Sequence, residues 1–359
     1  MGNNTYLHYV HSFRGFAILN IVAIHAFANA QFYLTAGNID TKAPIYAFSE
    51  MLFHDGTIYF ALISGLLFSA ILRPRGYRRF FQSKLSNVLA PYVFCTVVFS
   101  AVVFEMDGSG ILGIQESLDN YLKSLPNNLI LGQAQFTFWY IPVLLALFLL
   151  TPLLDKAATA KSYMFAVFLL IALLPLVVSR PQFVPDVSQV SLPAVIYFAG
   201  AYTIGIFVGY RLQESHAFVE QYKFVFVALA ISASAAIVVL QFGGIDRFGS
   251  FSVLETLYYI QKLSIAAIVL YWLHGKGISQ PKWLTHFAES AFSIYFLHAF
   301  YMDLVAHWVF PFSVGQQFLP WSMYTMVLVY FVTSLALSLS TVYVFRMIFR
   351  NRSRMLLGI

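Results

Sequence analysis

Long apolar stretches, separated by short clusters of polar and basic residues, run through the whole sequence. About ten of them approach the ~20 residues needed to cross hydrocarbon as a helix: 13–33, 55–72, 86–104, 137–154, 162–179, 191–210, 223–241, 251–273, 289–309 and 321–347. In lipid a spanning segment must satisfy its backbone polar groups internally, which makes these stretches helices. The pattern therefore predicts an all-α polytopic membrane protein with about ten transmembrane helices, forming a single integral membrane domain over residues 1–359. Polar residues interrupt two of the stretches: His25 and Asn29 in the first, Glu255 and Lys262 in the eighth. The longest polar connection, 105–136, carries Glu105, Asp107, Glu116 and Asp119 against Lys123, and its segment 112–123 is expected to form a short interfacial helix. There is no clear internal repeat.

Composition agrees. Of 359 residues, 60% are hydrophobic and 10% charged, with mean hydropathy +0.74, whereas a soluble domain carries about 25% charged residues. The net charge of +6 does not indicate nucleic acid, because the basic residues sit in short loops between apolar stretches. Arg73, Arg75, Arg78, Arg79, Lys84 and ten further cations fall on one side of the expected membrane, and Lys42, Lys123, Arg180 and Arg247 on the other. Positive charge collects on the cytoplasmic side, so both termini are expected there, and the basic loops are expected to contact membrane lipid. The N-terminal MGNNTYLHYVHSF has neither a basic n-region nor a small-residue cleavage site, so the first stretch is expected to act as an uncleaved anchor. The single cysteine, Cys95, permits no internal disulfide.

Against this background the polar exceptions carry the chemistry. Arg14 and His25 lie eleven residues apart in FRGFAILNIVAIHA. As a helix that spacing is three turns plus about 20°, so both share one face about 16 Å apart along the axis. Arg14 then sits at the cytoplasmic boundary and His25 near mid-depth, where an ionisable group is costly and marks function by default. A packing hydrogen bond for His25 and a snorkelling anchor for Arg14 are the plainer roles. His54, Asp55 and Gly56 open the second stretch on the outer side, where Asp55 could cap a helix or bind a hydroxyl. Ser64-Gly65 suits close helix packing, with Ser64 also able to reach substrate. Glu255 and Lys262 share a helix face but stand about 10 Å apart, so Lys262 is expected to find a partner on another helix. Trp139 and Tyr140 fit an interfacial aromatic belt or a platform for a sugar ring. No His, Cys, Asp or Glu set has metal-site spacing, and no Gly-rich phosphate loop is present.

FRGFAILNIVAIH resembles the first span of the membrane acyltransferase-3 family, with Arg14, Gly15, Ala17 and His25 in matching places. YFALISGLLFSA (59–70), FWYIPVLLALFLLTPLL (138–154) and SAFSIYFLHAF (290–300) are similar to later segments of that family in the same order, the last with Tyr295 and His298. Two positions depart from the pattern. His11 stands where an acidic residue is usual, and Lys84 and Asn87 precede Pro91 where the family usually has a pair of arginines. These departures leave the subfamily, and with it the acceptor, open.

The resemblance implies a short-form enzyme of the bacterial inner membrane. It would move an acyl group, most simply acetyl, from acyl-CoA as co-substrate to a hydroxyl of a surface or lipid-linked glycan, with no bound cofactor, metal or nucleic acid. It implies His25 as the base, Arg14 as the donor-binding residue, and Asp55, Ser64, Arg73, Lys84, Trp139, Glu255 and His298 as candidates for binding donor or acceptor. Acylation of an amino sugar at nitrogen, or transport of a glycan or acyl group along a proton path through Lys262, Glu255 and His25, are the alternatives.

Overall fold

The computed structural model describes residues 7–35, 39–104, 112–114, 118–159, 163–181, 188–249, 251–309 and 323–358. Glu105, Asp107, Glu116 and Lys161 lie outside the described residues. In chain order the helices are α1 (His8–Leu34), α2 (Pro44–Phe53), α3 (Thr57–Leu67), α4 (Tyr77–Lys84), α5 (Ala90–Phe99), α6 (Leu118–Leu131), α7 (Tyr140–Thr159), α8 (Tyr163–Leu173), α9 (Leu192–Tyr210), α10 (Leu212–Gly243), α11 (Val253–Gly275), α12 (Lys282–Glu289), α13 (Ala291–Val309), α14 (Met323–Phe349) and α15 (Ser353–Leu357). Two short hairpins complete the described fold: β1 (Val102–Phe104) with β2 (Leu112–Ile114), and β3 (Arg247–Phe248) with β4 (Phe251–Ser252). The chain is all-α in class.

Each of the ten apolar stretches contains a helix, and seven helical runs among the described residues are long and apolar enough to cross a membrane. Of the remaining three, α13 is as long as α9 but carries His298, Asp303 and His307, and the other two are shorter for local reasons. α8 gives way to a tight turn at Leu174–Leu176 around Pro175, and α5 follows a widened turn at Leu85–Leu89 and ends one residue before the chain turns toward β1. Two boundaries differ from the expected ones. The second stretch is preceded by α2, and the helical path is broken at Asp55, whose φ is +58°, a left-handed conformation that Asp tolerates better than most residues. α10 starts eleven residues before its apolar stretch and changes course at Tyr222, whose φ and ψ of −107° and 18° are not helical. The helix expected at 112–123 also begins later. Residues 112–114 pair with Val102–Phe104, and the helix is α6, with Leu118 and Leu122 exposed on it.

Contacts divide the chain into two compact units. The first comprises Met1–Leu19, Thr41–Lys84 and Val143–Glu289. Its core is α3 packed on α9 at backbone distance. A Cβ on Gly65 would stand 2.0 Å from the Tyr202 carbonyl oxygen, and one on Gly205 would stand 2.1 Å from that of Leu62. Small residues allow this approach and the dispersion contact it brings. Ser191 caps α9 by accepting from the Ala194 amide at 3.3 Å, and Ser252 caps α11 by accepting from the Glu255 amide at 3.3 Å.

The second unit comprises Asn20–Asp40, Leu85–Pro142 and Ser290–Ile359. In it α13 packs along α14, and α15 folds back on α5. The Ser293 hydroxyl donates to the Leu357 carbonyl at 2.7 Å, and Arg354 Nε donates to Asn87 Oδ1 at 2.6 Å. Helix α1 is uninterrupted. Its part through Leu19 belongs to the first unit and the rest to the second.

Candidate functional site

In the second unit, α1 and α13 bring two histidines together from positions 273 residues apart. The rings of His25 and His298 have centroids 5.4 Å apart and are tilted by 33°. Phe136 stands edge-on to His25 at 5.0 Å. One turn further along both helices, Asn29 Nδ2 approaches Met302 Sδ at 3.5 Å and donates to the His25 carbonyl at 3.1 Å.

His298 is fully buried, and its Nδ1 lies 2.9 Å from the Ile294 carbonyl oxygen. A carbonyl only accepts, so Nδ1 carries the proton and Nε2 keeps a lone pair. That Nε2 has no hydrogen-bond partner among the described residues. The imidazole is therefore held in the tautomer of a proton acceptor, oriented by its own helix in the way a carboxylate or carbonyl orients a catalytic histidine elsewhere. Tyr295, one turn before His298, donates to the Thr137 carbonyl, which ties α13 to the turn leading into α7. Trp139, half-buried in that turn, meets Tyr140 edge-on at 6.0 Å.

In the first unit, one end gathers cations. Gly15 lets α1 approach α12 until a Cβ there would stand 2.1 Å from the Leu284 carbonyl oxygen. This seats the neighbouring Arg14 at the packed end of the helix. Lys84 lies near enough to Arg14 to feel its charge. Its ammonium stands over the rings of Phe148 and Phe80, 4.5 and 5.6 Å from their centroids, and no ion pair involves it among the described residues. Burial and Arg14 together lower the Lys84 pKa to about 8. Arg73 is differently placed. Its Nε donates to buried Asp155 at 2.9 Å, and that carboxylate also accepts from the Tyr77 and Tyr210 hydroxyls at 2.5 Å each. Arg73 is thus committed to a structural network. Ser64 lies buried in α3, next to the Gly65 contact with α9.

The opposite end of the first unit holds a second charged cluster, which joins Asp55 and Glu255 to residues that the sequence left unassigned. Arg180 Nε stands 2.8 Å from Asp55 Oδ1 and 3.5 Å from Glu255 Oε2. His54 accepts from Arg180 at Nε2 over 2.6 Å and donates from Nδ1 to Glu50 over 2.5 Å, with its ring stacked on Tyr258 at 4.2 Å. The Tyr197 hydroxyl donates to Asp55 Oδ2 at 2.6 Å. Burial works against the charge on Arg180, but Asp55 and Glu255 outweigh it and its pKa is raised. Asp55 is not a helix cap. Gly56 holds that position and no side chain caps α3. The ligand atoms of His54, Asp55 and Glu255 lie within 4.8 Å of one another, a grouping that linear spacing does not reveal, and the guanidinium of Arg180 already supplies positive charge there.

Lys262 finds its partner in backbone rather than in an acid. It donates to the carbonyls of Leu52 at 3.0 Å and Met51 at 3.4 Å. These carbonyls end α2 and are left without helical partners by the break at Asp55. A cation at a helix C-terminus also meets the negative end of its dipole. Lys262 and Glu255 therefore do not pair with each other.

Residues 7–343 match the family model described as an acyltransferase domain, Acyl_transf_3. No curated protein and no solved structure matches the chain.

Proposed function

Because the chain belongs to the Acyl_transf_3 family of acyltransferases, over nearly its whole length, and is an integral membrane protein with seven helical runs long and apolar enough to cross a membrane, we propose that it transfers an acyl group, most simply acetyl, from acyl-CoA to a hydroxyl of a cell-surface or lipid-linked glycan at the bacterial inner membrane. The observation that carries this reading is the facing pair of imidazoles, His25 and His298, one of them held with a lone pair unpartnered in a buried setting. Acyl transfer to an alcohol needs a base for the hydroxyl proton as oxygen attacks the thioester carbonyl. The new C–O bond forms as the C–S bond breaks, and the proton taken by the imidazole returns to the leaving thiolate. His25 is the base. His298, 5.4 Å away ring to ring, sets the electrostatics and hydrogen bonding around it.

Arg14 and Lys84 are assigned to the anionic donor, whose phosphates suit a guanidinium fork beside a compact ammonium. Arg14 and His25 both stand on α1, eleven residues apart. The orientation inferred from charge puts Arg14 on the cytoplasmic side, where acyl-CoA is made. The cation interrupted by Phe148 and Phe80 rather than by a carboxylate remains available for a phosphate, whereas Arg73 is held by Asp155.

The test is mass analysis of envelope glycans from cells with and without an intact copy of the gene. An added acetyl mass that is lost in mild alkali supports the ester. An acetyl mass that survives alkali indicates an amide and the amino-sugar alternative, and no change in acetylation overturns the proposal.

The lowered pKa of Lys84 gives a pH signature. Above pH of about 8 the amine loses its proton, so the donor KM is expected to rise as pH increases through that value. The same group acts oppositely on folding. Its unfolded pKa is near 10.4, so the unfolded chain binds more protons between about 8 and 10, and the Lys84 contribution to stability rises with pH across that window. Initial rates at varied acetyl-CoA between pH 7 and 9.5 check the first effect. Lys84→Arg should remove the rise, and an unchanged rise in that variant would exclude Lys84 as its source.

A further inference from the structure

The outer half of α1, together with α13 and α14, carries polar groups that the acyl-transfer step does not use. Eight residues beyond His25 on α1, which is about 12 Å of axial rise, Tyr33 meets Tyr330 of α14 with ring centroids 6.4 Å apart. Asp303 of α13 lies close enough to both phenols to act on them electrostatically. Between these two levels sit Asn29 and Met302, in contact with each other. On α14, Tyr330, Ser334 and Ser338 are all fully buried, whereas Leu328, Val332 and Leu337 are exposed. The buried face of α14 thus carries three hydroxyls.

Three of these buried groups have no hydrogen-bond partner among the described residues: the Tyr330 hydroxyl, the Ser338 hydroxyl and His298 Nε2. An unpartnered polar atom in a dry interior is costly, and native proteins leave few of them. Two of the three lie on α14 and the third is the histidine that faces His25, so each helix beside α1 here presents an unpartnered polar group.

We infer that the polar stripe from His25 and His298 outward through Asn29 and Ser338 to Tyr33, Asp303 and Tyr330 is the acceptor-binding lane, and that its ligand is a polyhydroxylated sugar. Its inner end presents the hydroxyl to be acylated to the imidazoles. Its outer end offers what sugar recognition uses, namely a carboxylate to accept from hydroxyls and tyrosines that give both a ring face and a phenolic hydrogen bond. A CoA moiety fits this lane poorly, because none of its residues is a lysine or arginine and Asp303 would repel the phosphates.

This inference rests on the proposed acyl-transfer function, and the test separates the two. Tyr330→Phe removes only a hydroxyl without a protein partner, and Asp303→Asn keeps shape while removing charge. Both are expected to leave the protein in the membrane, and Tyr330→Phe to unfold at or above the wild-type temperature. Two readouts are compared: alkali-labile acetyl ester on envelope glycan in cells carrying each variant as the sole copy, and acetyl-CoA hydrolysis by purified protein without acceptor. The lane predicts that the ester falls at least tenfold in Asp303→Asn and at least fivefold in Tyr330→Phe, while hydrolysis stays within twofold of wild type. Ester within twofold of wild type in both variants, or ester and hydrolysis falling in parallel, overturns it and leaves the stripe as a water-filled or purely structural feature. A wild-type chain with neither hydrolysis nor ester would remove the acyl-transfer reading itself. A working wild type with unaffected variants removes only the lane.

Discussion

His25→Ala is expected to lower acyl transfer by at least ~100-fold while the protein still inserts and folds, since a positioned general base contributes about 10²–10⁴ in rate. His25 is half-buried and its ring meets those of Phe136 and His298, and no hydrogen bond of its side chain joins helices among the described residues, so truncation should leave the fold intact. His298→Ala should cost less transfer and more stability, because that ring is fully buried and anchored to Ile294. A large-to-small change there leaves a cavity. Transfer of labelled acetyl from acetyl-CoA, measured beside thermal unfolding in detergent, separates the two. Wild-type turnover in His25→Ala would remove it as the base. A loss in His298→Ala as large as in His25→Ala, at unchanged stability, would move the base role to His298, whose Nε2 lone pair is already set to accept.

Much of the architecture was legible because a bilayer-crossing helix is a local property. Each apolar stretch holds a helix, and the kink at Tyr222 falls where the apolar stretch of α10 begins. What the sequence could not show was pairing at long range. His25 and His298 each stood out as a polar residue in an apolar run, but nothing periodic links positions on α1 and α13. Lys262 was legible as a buried cation in need of a partner. Its acceptors are carbonyls freed by the break at Asp55, and such a break is not encoded in hydropathy. Arg180 was the largest omission. It entered only as one of four cations on the sparsely charged side, since a single arginine in a loop reads as topology. The signal that could have found it is charge balance: Glu50, Asp55 and Glu255 cluster near span ends on a side with few cations to neutralise them.

That balance makes Arg180→Met the substitution with the largest expected effect on stability. The guanidinium stands between Asp55 and Glu255, with side chains only 1% and 7% exposed, and it also donates to His54. Removing one member of a buried ion pair leaves an uncompensated charge and typically costs about 3–5 kcal/mol. Here two carboxylates lose their guanidinium and keep only His54, whose Nε2 stands 3.9 Å from Asp55 Oδ1 and 3.6 Å from Glu255 Oε1, so a cost within that range is expected and the cluster should take up a proton. The unfolding temperature in detergent should fall by on the order of 10 °C. Arg180→Met should also become more stable as pH is lowered from 8 to 6, because protonation relieves the repulsion. Adding Asp55→Asn to Arg180→Met should recover more than half of the loss, since Asn keeps the shape and can still accept from Tyr197 without a charge. Asp55→Asn alone should destabilise less than Arg180→Met, because Glu255 remains to balance the arginine. The coupling between positions 55 and 180 across this double-mutant cycle is the decisive quantity. A strictly additive cycle, or an Arg180→Met protein that melts with the wild type, would mean that the cluster is solvated enough to need no internal cation. It would then be a polar surface of the first unit rather than the lock that holds the break at Asp55 against α9 and α11.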